Sequence, residues 1–315
     1  MIKISIIIPV YCVEQFIRFT LDSIYNQKVD NQHFEVIVVN DGTPDNSMSI
    51  VKEFAALYSN LTIINQVNQG LSCARNVGIE KAKGKYVWVV DSDDMVTEHS
   101  LKEALHAIEK NLDVDMFCFN LYEKKEKVFT PVCLFSKAVY QHYYGEVHNG
   151  YFYCRKLPTG LAQRFLFRKR FLEENDLEFT PGIFHEDQDF LIRCYTKVKR
   201  ILPLQNFWYI YNIRESGSIT STFKIKRFLD LLWIVKNFRR LSDKSNDYKE
   251  CTILEEGVFG LVYGLLNSKY QSYPEFKDFL KENIQLLKKL LLSSYFKSIR
   301  KNSLGKSWRL LKTII

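Results

Sequence analysis

The sequence lacks any apolar run long enough to span a lipid bilayer. The longest runs, at residues 4–10 and 86–90, hold seven and five residues, whereas a membrane-spanning helix needs about 20. The N-terminus also lacks the apolar helical region and the small-residue cleavage site of a signal peptide. These absences exclude an integral membrane protein and predict that the chain stays in the cytoplasm.

The cysteines lack any pairing pattern. Seven are scattered along the chain, and none stands in a Cys-x-x-Cys pair. This excludes a zinc site built on such pairs and a disulfide framework, and it indicates reduced thiols in a cytosol. Internal repeats and low-complexity segments are also missing. With 46% hydrophobic and 25% charged residues, the composition is that of a soluble globular protein.

Positive charge is concentrated at one end of the chain. Residues 281–315 hold nine Lys or Arg and one acid, which accounts for the whole net charge of +8. Apolar residues lie among these cations in a pattern that suits an anionic membrane surface. A helical bundle packed on the rest of the molecule, with a solvated basic side, explains the pattern equally well. The body of the chain contains no motif for nucleic-acid binding.

The first 121 residues alternate strand and helix patterns. Gly84 is a candidate helix C-cap and Thr97 a candidate N-cap. Strands alternating with helices imply right-handed crossovers and a mainly parallel sheet, whose ligands bind outside the carboxyl ends of the strands. The predicted strands are 3–10, 34–39, 61–64, 86–90 and 114–121, and the predicted helices are 13–27, 50–58, 71–83 and 97–111.

Residues 122–222 are less regular and rich in aromatics. The rings at 139–153 either offer faces on which a sugar ring stacks or form a packed satellite core. From residue 223 the pattern turns helical. The helices predicted there are 224–241, 250–268, 274–292 and 294–313.

Four polar residues, Asp91-Ser92-Asp93-Asp94, follow the fourth predicted strand. In an extended segment, Asp91 and Asp93 face one ligand and Asp94 faces the other side. Clustered carboxylates are costly unless something positive neutralises them, and a hard divalent cation such as Mg²⁺ or Mn²⁺ does so through oxygen ligands. The alternative is a solvated acidic turn in which Asp94 caps a helix.

Two more polar motifs lie at strand–helix junctions. Asp41 ends the second strand, and an ordinary turn explains the residues after it better than it explains Asp41 itself. Gly70, Ala74 and Gly78 lie four apart on one helix face, where they allow close approach of a ligand or of another backbone. Arg75 is placed to meet a phosphate from the N-terminal turn of that helix.

Two later motifs are less specific. Glu186 and Asp187 begin a helix, where acids either suit the helix dipole or supply a general base. The polar loop 214–222, which contains Arg214, follows an aromatic strand. It either closes over an anionic ligand or links to the C-terminal helices.

These five motifs, in this order, resemble the family 2 glycosyltransferases, whose catalytic domain has the GT-A fold. The resemblance covers about residues 1–222. It implies an α/β fold of GT-A type, a mainly parallel sheet flanked by helices with a C-terminal helical extension. The matching stretches are SIIIPVY at 5–11, VNDGT at 39–43, NQGLS at 68–72, ARN at 74–76, DSDD at 91–94, and Glu186-Asp187 followed by Phe190.

The resemblance also implies a division of the chain. Residues 1–222 would form the glycosyltransferase domain, with a nucleotide-sugar half at 1–121 and an acceptor half at 122–222. Residues 223–315 would form the helical region with its basic amphipathic tail. The family often has a Trp and a Lys in the strand before the Glu-Asp pair, and the counterpart here, 161–165, is LAQRF. Acceptor contacts at that segment are therefore left open.

Roles for individual residues follow from the resemblance. Asp93 matches the main metal ligand of an Asp-x-Asp motif, with Asp91 nearer the ribose, and Asp94 matches an acid near the donor sugar. Asp187 falls where the family has its catalytic base, with Glu186 beside it. The nucleotide site would contain Pro9, Tyr11, Glu14, Asp41, Gly70 and Arg75, and the loop over the diphosphate would contain Arg214, Ser218 and Thr220.

The implied activity is inverting transfer of a hexosyl or N-acetylhexosaminyl group from a nucleotide-sugar, by expectation a UDP-sugar, with Mn²⁺ or Mg²⁺. The expected acceptor is a hydroxyl of a glycan or lipid-linked saccharide in surface polysaccharide synthesis. If the basic tail is an anchor, the protein would attach peripherally to the inner face of the plasma membrane. The alternative is a catalytically inactive protein on the same fold that binds a nucleotide-sugar or carbohydrate, although Asp93 and Asp187 are both present.

Overall fold

A computed structural model of the chain describes residues 2–135, 138–154, 160–214, 223–266, 270 and 272–299. Nine strands in these residues form one sheet. Many of their residues are β-branched or aromatic, which suits a pleated and buried surface. The strands are β1 (Ile4–Val10), β2 (Phe34–Asn40), β3 (Leu61–Asn65), β4 (Tyr86–Val89), β5 (Met95–Val96), β6 (Met116–Lys125), β7 (Val128–Val132), β8 (Phe165–Arg168) and β9 (Ile201–Asn212).

The strand order is β3-β2-β1-β4-β8-β6-β9-β5, and β7 pairs with β6. The pairs among β3, β2, β1 and β4 are parallel, and β8 runs antiparallel between β4 and β6. Because β6 pairs in parallel with β9, six of these nine strands run in one direction. The predicted mainly parallel sheet flanked by helices is therefore confirmed, with β5, β7 and β8 as antiparallel additions.

Helices cover the faces of the sheet, and three more follow it in the chain. Apolar residues at three- and four-residue spacing form their buried sides, as Ile17, Leu21 and Ile24 do in the first helix. The helices are α1 (Ile17–Tyr25), α2 (Ser47–Leu57), α3 (Leu71–Lys81), α4 (Ser100–Lys110), α5 (Gly150–Cys154), α6 (Lys169–Glu174), α7 (Glu186–Lys197), α8 (Ile225–Lys244), α9 (Tyr248–Leu266) and α10 (Pro274–Ile299).

Two hydrophobic cores contain residues of the sheet. One includes Ile17 of α1 and Leu101 of α4. The other includes Ala74 of α3 and residues from all three C-terminal helices, such as Phe238, Val258 and Leu287. The C-terminal helices therefore share a core with the sheet, while the predicted division of the chain at residues 222 and 223 stays a prediction.

Two glycines set how closely α3 and the loop after it approach β1. A Cβ on Gly78 would lie 2.3 Å from Ile7 Cγ2, so tight helix–sheet packing explains this glycine. The prediction that Gly84 caps α3 was wrong. The helix has its C-cap at Ala82, and a Cβ on Gly84 would lie 2.6 Å from the backbone nitrogen of Ser5, so the glycine is required by a contact with β1.

The prediction that Thr97 is the N-cap of a helix was wrong. Its backbone N–H donates to the carbonyl of Trp208 at 3.0 Å and its hydroxyl to that of Phe207 at 2.6 Å. These bonds continue the pairing of β5 with β9. The helix α4 therefore begins at Ser100, after His99 in a left-handed backbone conformation.

The C-terminal helices differ from the prediction at one point, because α10 continues through the expected break between 292 and 294. The Ser293 hydroxyl donates to Leu290 O at 3.1 Å, and the Ser294 hydroxyl donates to Glu255 Oε2 at 2.5 Å. Both hydroxyls are satisfied inside the bundle, so these serines do not end the helix.

The basic tail is only partly described. In its described part, Leu287, Leu290 and Leu291 are buried, so the packed-bundle alternative holds there. Residues 300–315, with five of the nine cations, lie outside the described residues, and attachment to a membrane stays a prediction. No helix within the described ranges is both long enough and apolar enough to cross a bilayer.

Candidate active site

The acidic motifs meet at the carboxyl ends of the parallel strands, where ligands bind in such sheets. Asp41 follows β2, and its backbone N–H donates to Val10 O at the end of β1. Residues 91–94 follow β4. Glu186 and Asp187, at the start of α7, reach the same region through ion pairs with Arg75.

Residues 91–94 form a tight turn instead of the extended segment that we predicted. The backbone N–H of Asp94 donates to the carbonyl of Asp91 at 3.1 Å. This turn brings carboxylate oxygens of Asp91, Asp93 and Asp94 within 4.8 Å of one another. The expectation that Asp94 faces away was wrong, because a turn lacks the two-residue alternation of a strand. Three carboxylates this close fit a hard divalent cation, whose preferred ligands are oxygens.

Asp94 is the most buried acid of this turn, with 1% of its surface exposed. Its carboxylate accepts hydrogen bonds from the Tyr209 hydroxyl at 2.6 Å and from the Asn212 backbone N–H at 2.8 Å. Burial, followed by repulsion from Asp93 and Asp91, raises the pKa of Asp94 well above its ordinary value. Because Asp94 is buried and its partners are on β9, the alternative of a solvated turn in which Asp94 caps a helix fails for this residue.

Asp93 forms an ion pair with Arg214, whose guanidinium lies 4.3 Å from the centre of the Phe16 ring. Burial and then repulsion from Asp91 raise the pKa of Asp93, and Arg214 works against this rise. Arg214 therefore supplies part of the positive charge that the acidic turn requires. Its role at a diphosphate stays a prediction, and the other two predicted loop residues, Ser218 and Thr220, lie outside the described residues.

Arg75 joins the acidic turn to the start of α7. Its side chain is fully buried, and Nη2 donates to Asp91 Oδ1 at 2.8 Å. Nη1 donates to Glu186 Oε1 at 2.9 Å and to Asp187 Oδ1 at 2.8 Å, and the guanidinium lies 5.0 Å from the centre of the Phe179 ring. The contacts of Arg75 are thus with carboxylates, and its predicted place in the nucleotide site stays a prediction.

Asp187 lies in the first turn of α7 with 9% of its surface exposed. One carboxylate oxygen accepts from Arg75, and the other lies 3.4 Å from the backbone nitrogen of Ala162. Burial raises the pKa of Asp187 to about 7, with Arg75 opposing the rise and Glu186 and Asp91 adding to it. A carboxylate that titrates near neutral pH is suited to act as a general base.

The Asp41 carboxylate accepts three hydrogen bonds from the loop that leads into α3. Its Oδ1 accepts from Gln66 Nε2 at 2.7 Å and from the Gln69 backbone N–H at 2.8 Å, and its Oδ2 accepts from the Gly70 N–H at 2.9 Å. Gly70 has a left-handed φ of 89°, and no atom lies within 4 Å of the place where a Cβ would stand. The glycine is therefore favoured by its backbone conformation and not by lack of space.

The three remaining candidates of the nucleotide site lie at or just after the end of β1. Pro9 is inside the strand, opposite Val39, and Tyr11 follows it with 48% of its surface exposed. Glu14 accepts a hydrogen bond from the Asn46 backbone N–H at 2.8 Å, which connects two loops. The exposed ring of Tyr11 is available for stacking, and the nucleotide roles of all three residues stay predictions.

Sequence reasoning missed two residues that hold the site together. Gln163 Nε2 donates to Asp91 Oδ2 at 2.6 Å from the short 3₁₀ turn Ala162–Arg164, and the Tyr209 hydroxyl bonds to Asp94. Both contacts join residues more than 70 positions apart. The signal for Gln163 was its place in the segment 161–165, and the signal for Tyr209 was the aromatic run 207–211.

The aromatic segment at 139–153 packs into the molecule where it is described. Tyr153 is fully buried, and the Tyr144 hydroxyl donates to Asn120 at 2.8 Å. Four rings pack, partly buried, against the same core, namely Tyr143, Tyr144, Tyr151 and Phe152. These rings are therefore packed, as the second alternative predicted, but the core that they join is the one shared by the sheet and the C-terminal helices and not a separate satellite.

Comparison with known proteins gives a consistent picture. A family model described as "Glycosyl transferase family 2" matches residues 5–175, more than half of the chain. The Bacillus subtilis protein "Uncharacterized glycosyltransferase EpsJ" is 31% identical over 234 residues, which are 72% of this chain and 65% of that protein. "Uncharacterized glycosyltransferase YibD" of Escherichia coli is 41% identical over 190 residues, 59% of this chain and 54% of that protein.

A further relative is the "Poly(ribitol-phosphate) beta-glucosyltransferase" of Bacillus spizizenii, 31% identical over 218 residues. That alignment covers 68% of this chain and 33% of the relative. The chain thus spans less than two thirds of the length of each of these three relatives.

Among the solved structures that resemble the fold, two contain a bound nucleotide-sugar. Residues 1–349 of Staphylococcus aureus TarS, in complex with UDP-GlcNAc, superpose with a TM-score of 0.71 at 23% identity, covering 95% of this chain and 88% of that one. The mannosyltransferase PcManGT of Pyrobaculum calidifontis, in complex with GDP-Man and Mn²⁺, gives a TM-score of 0.59 at 16% identity, covering 99% and 83%. At these identities the likeness concerns the fold alone, and it confirms the predicted GT-A type.

Proposed function

The chain belongs to glycosyl transferase family 2, and from this premise we propose that it transfers a sugar from a nucleotide-sugar to a hydroxyl group. One observation carries the proposal. Arg75 bonds to Asp91 of the acidic turn and to Asp187 of α7. A candidate cation site and a candidate base are thereby held on either side of one buried guanidinium, which suits a reaction between a diphosphate donor and a hydroxyl acceptor.

The proposed donor is a UDP-sugar that carries a hexosyl or N-acetylhexosaminyl group. TarS, which has the same fold, was solved with UDP-GlcNAc, although PcManGT was solved with GDP-Man. In this chain the uracil and ribose would lie near Pro9, Tyr11 and Asp41. The exposed Tyr11 ring offers a face for stacking, and the Gly70 backbone leaves open space beside the loop.

In the proposed reaction Asp187 takes the proton from the acceptor hydroxyl. The hydroxyl oxygen forms a bond to the anomeric carbon, and the bond from that carbon to the diphosphate oxygen breaks on the opposite face. The configuration therefore inverts. Arg75 holds Asp187 in place, and Glu186 shares the same guanidinium. The raised pKa of Asp187 makes it a stronger base than an exposed aspartate.

The proposed cofactor is Mn²⁺ or Mg²⁺, held by Asp93 and Asp91 with Asp94 close by. The three carboxylates fit such an ion because their oxygens converge within 4.8 Å. A bound divalent cation supplies positive charge for a leaving diphosphate. Arg214, beside the same cluster, is a second positive group for that diphosphate.

The proposed acceptor is a surface polymer or its precursor, such as a glycan or a lipid-linked saccharide. The proposed acceptor is supported by the names of related proteins, among them a poly(ribitol-phosphate) beta-glucosyltransferase, and by the fold shared with TarS. We further propose that the protein acts in the cytoplasm, with the basic tail as a means of peripheral attachment to the membrane.

A thermal-shift experiment tests the donor site. The melting temperature is measured with UDP, GDP, dTDP and CMP, each with and without Mn²⁺. A nucleotide at 100 times its dissociation constant adds about 2.7 kcal/mol of stability. We expect a Mn²⁺-dependent shift with UDP that is absent in Asp93→Ala. It should persist in Asp113→Ala, which removes an exposed aspartate outside the acidic turn.

Two outcomes would contradict the proposal. A full Mn²⁺-dependent shift in Asp93→Ala would show that Asp93 does not hold the cation. The absence of a shift with every nucleotide would show that the proposed donor site does not bind nucleotides. Binding of UDP without release of UDP from any UDP-sugar would instead support an inactive binding protein.

A further inference from the structure

The segment 179–184, which leads into Asp187, is held at both ends by side chains from other helices. At its start, Asn76 of α3 makes two hydrogen bonds with the Phe179 backbone, at 2.8 and 2.9 Å. At its end, the Phe184 backbone N–H donates to Asp230 Oδ2 at 2.9 Å. Asp230 belongs to α8, so a C-terminal helix contacts the chain three residues before Asp187.

Lys226, one turn earlier in α8, supports the same contact. Its Nζ donates to Asp230 Oδ2 at 2.6 Å and to the carbonyl of Gly182 at 2.8 Å. It also lies 5.5 Å from the centre of the Phe184 ring. Two side chains of α8 therefore hold the backbone of this segment at two points, Gly182 and Phe184.

The conformation of the segment explains why such anchors are needed. Gly182 and His185 both have left-handed backbone angles, with φ of 72° and 63°. For a residue with a side chain this conformation is strained, and it persists only where the surroundings hold it. The His185 carbonyl accepts from the N–H groups of Gln188 and Asp189. The left-handed residue thus sets the direction in which α7 begins.

We propose that Asp230 and Lys226 are positioning residues for the reaction. By holding Gly182 and Phe184, they keep His185 in its left-handed conformation and so direct the Asp187 carboxylate towards Arg75. This inference rests on the proposed function, in which Asp187 is the base. It assigns a part in catalysis to α8, which lies beyond the residues that the family model matches.

Steady-state kinetics tests the effect on the reaction. The assay is release of UDP from UDP-GlcNAc or UDP-glucose with Mn²⁺, in which water takes the place of the acceptor. We expect Asp230→Ala to lower kcat by about 10- to 100-fold, since a small displacement of a reacting group has effects of this size. KM should change little, because donor contacts are not altered. Asp230→Asn, which keeps an oxygen that accepts the Phe184 N–H, should recover part of the loss.

Asp243→Ala is the matched control. Asp243 lies on the same helix and pairs with Arg239 four residues earlier, as Asp230 pairs with Lys226. None of its described contacts is with the 179–187 segment, so its removal should leave kcat within about twofold. A wild-type kcat in Asp230→Ala, or equal losses in the two variants, would overturn the positioning role.

Hydrogen–deuterium exchange provides a second test that does not depend on activity. Amides of residues 180–188 should exchange about tenfold faster or more in Asp230→Ala and in Lys226→Met than in the wild type or in Asp243→Ala. Unchanged exchange would overturn the anchoring by α8. If the wild-type chain releases no UDP from any donor, the proposed function fails, and the exchange result alone decides whether α8 holds the segment.

Discussion

The properties of the site depend on one buried cation that three carboxylates share. Arg75 has no exposed surface, and a buried charge is tolerated only where partners compensate the loss of water. Asp91, Glu186 and Asp187 are those partners. All three carboxylates interact with the same guanidinium. Burial raises the pKa of Asp187, Arg75 opposes this rise, and the charges of Glu186 and Asp91 add to it.

Replacing Asp187 by Asn tests its role as the base and keeps a side-chain oxygen that accepts a hydrogen bond from Arg75. We expect Asp187→Asn to lower kcat for UDP release by roughly 10²–10⁴-fold, because an amide does not accept a proton at neutral pH. The Mn²⁺-dependent thermal shift with UDP should remain. Glu186→Gln is the matched control on the neighbouring residue, and it should retain most of the activity.

The pH dependence of the rate distinguishes loss of the base from a loss of activity caused by misfolding. Asp187 must be ionised to act, and burial raises its pKa to about 7. The wild-type rate should therefore rise with pH through about 7, whereas the residual rate of Asp187→Asn should lack this rise. A rate that keeps the same rise in Asp187→Asn would place the base elsewhere, with Glu186 as the next candidate.

At the scale of elements, the site depends on how closely α3 packs on β1, because α3 carries Arg75. Gly78 allows this approach. A methyl group there would meet the fully buried Ile7, and overpacking of this kind costs about 1–3 kcal/mol. Because alanine is favoured over glycine in a helix by about 0.8–1.0 kcal/mol, part of this cost is offset, and we expect Gly78→Ala to lower the free energy of unfolding by up to about 2 kcal/mol, as measured by urea denaturation.

Gly260→Ala is the control for Gly78→Ala. Gly260 lies in α9, is exposed, and has no atom within 4 Å of the place of a Cβ. Alanine is favoured over glycine in a helix by about 0.8–1.0 kcal/mol, so this variant should be slightly more stable than the wild type. Destabilisation of similar size in both variants would show that crowding at Ile7 is not the cause.

The elements that the sequence predicted well are those whose signal is local. The strands of the parallel half and the helices between them follow from runs of buried residues and helical spacing, and most of their bounds agree within about three residues. The misses at Gly84, Thr97 and Ser293 share one cause. Each of these residues is fixed by a partner distant in sequence or by packing, which local propensity does not contain.

Prediction of the site from the sequence was limited in the same way. The acids of the motifs were recognised because their residue types and order are unusual. Their partners Gln163 and Tyr209 come from later parts of the chain and are of ordinary types. The same is true of Asp230, which contacts the Phe184 backbone before Asp187. The turn at 91–94 was misjudged because the choice between strand and turn depends on the contacts of Asp94 with β9.

At the scale of the whole molecule, Glu255 connects the three C-terminal helices. It is fully buried in α9, where it accepts from Ser242 at 2.7 Å and Arg239 at 3.0 Å on α8, and from Ser294 at 2.5 Å on α10. These helices also share a core with the sheet. The predicted division into residues 1–222 and 223–315 therefore requires a test of whether the two parts unfold together.

Glu255→Ala provides that test. Breaking a buried charged pair costs about 3–5 kcal/mol, and the low end is expected here because Arg239 keeps Asp243 and Ser293 as partners. Unfolding is followed by helix circular dichroism and by fluorescence of the buried Trp88 and Trp208 of the sheet, with Trp233 and Trp308 replaced by Phe. If the molecule is one cooperative unit, both midpoints fall together.

The control is Glu250→Ala in the same helix. Glu250 pairs with Lys197 of α7 at 2.9 Å on the surface, and such exposed pairs contribute about 0–1 kcal/mol, so both midpoints should change little. A fall in the circular-dichroism midpoint alone after Glu255→Ala would mean that the C-terminal helices unfold separately from the sheet. The anchoring of the Asp187 segment by α8 then requires only the first two turns of α8, because Lys226 and Asp230 both lie there.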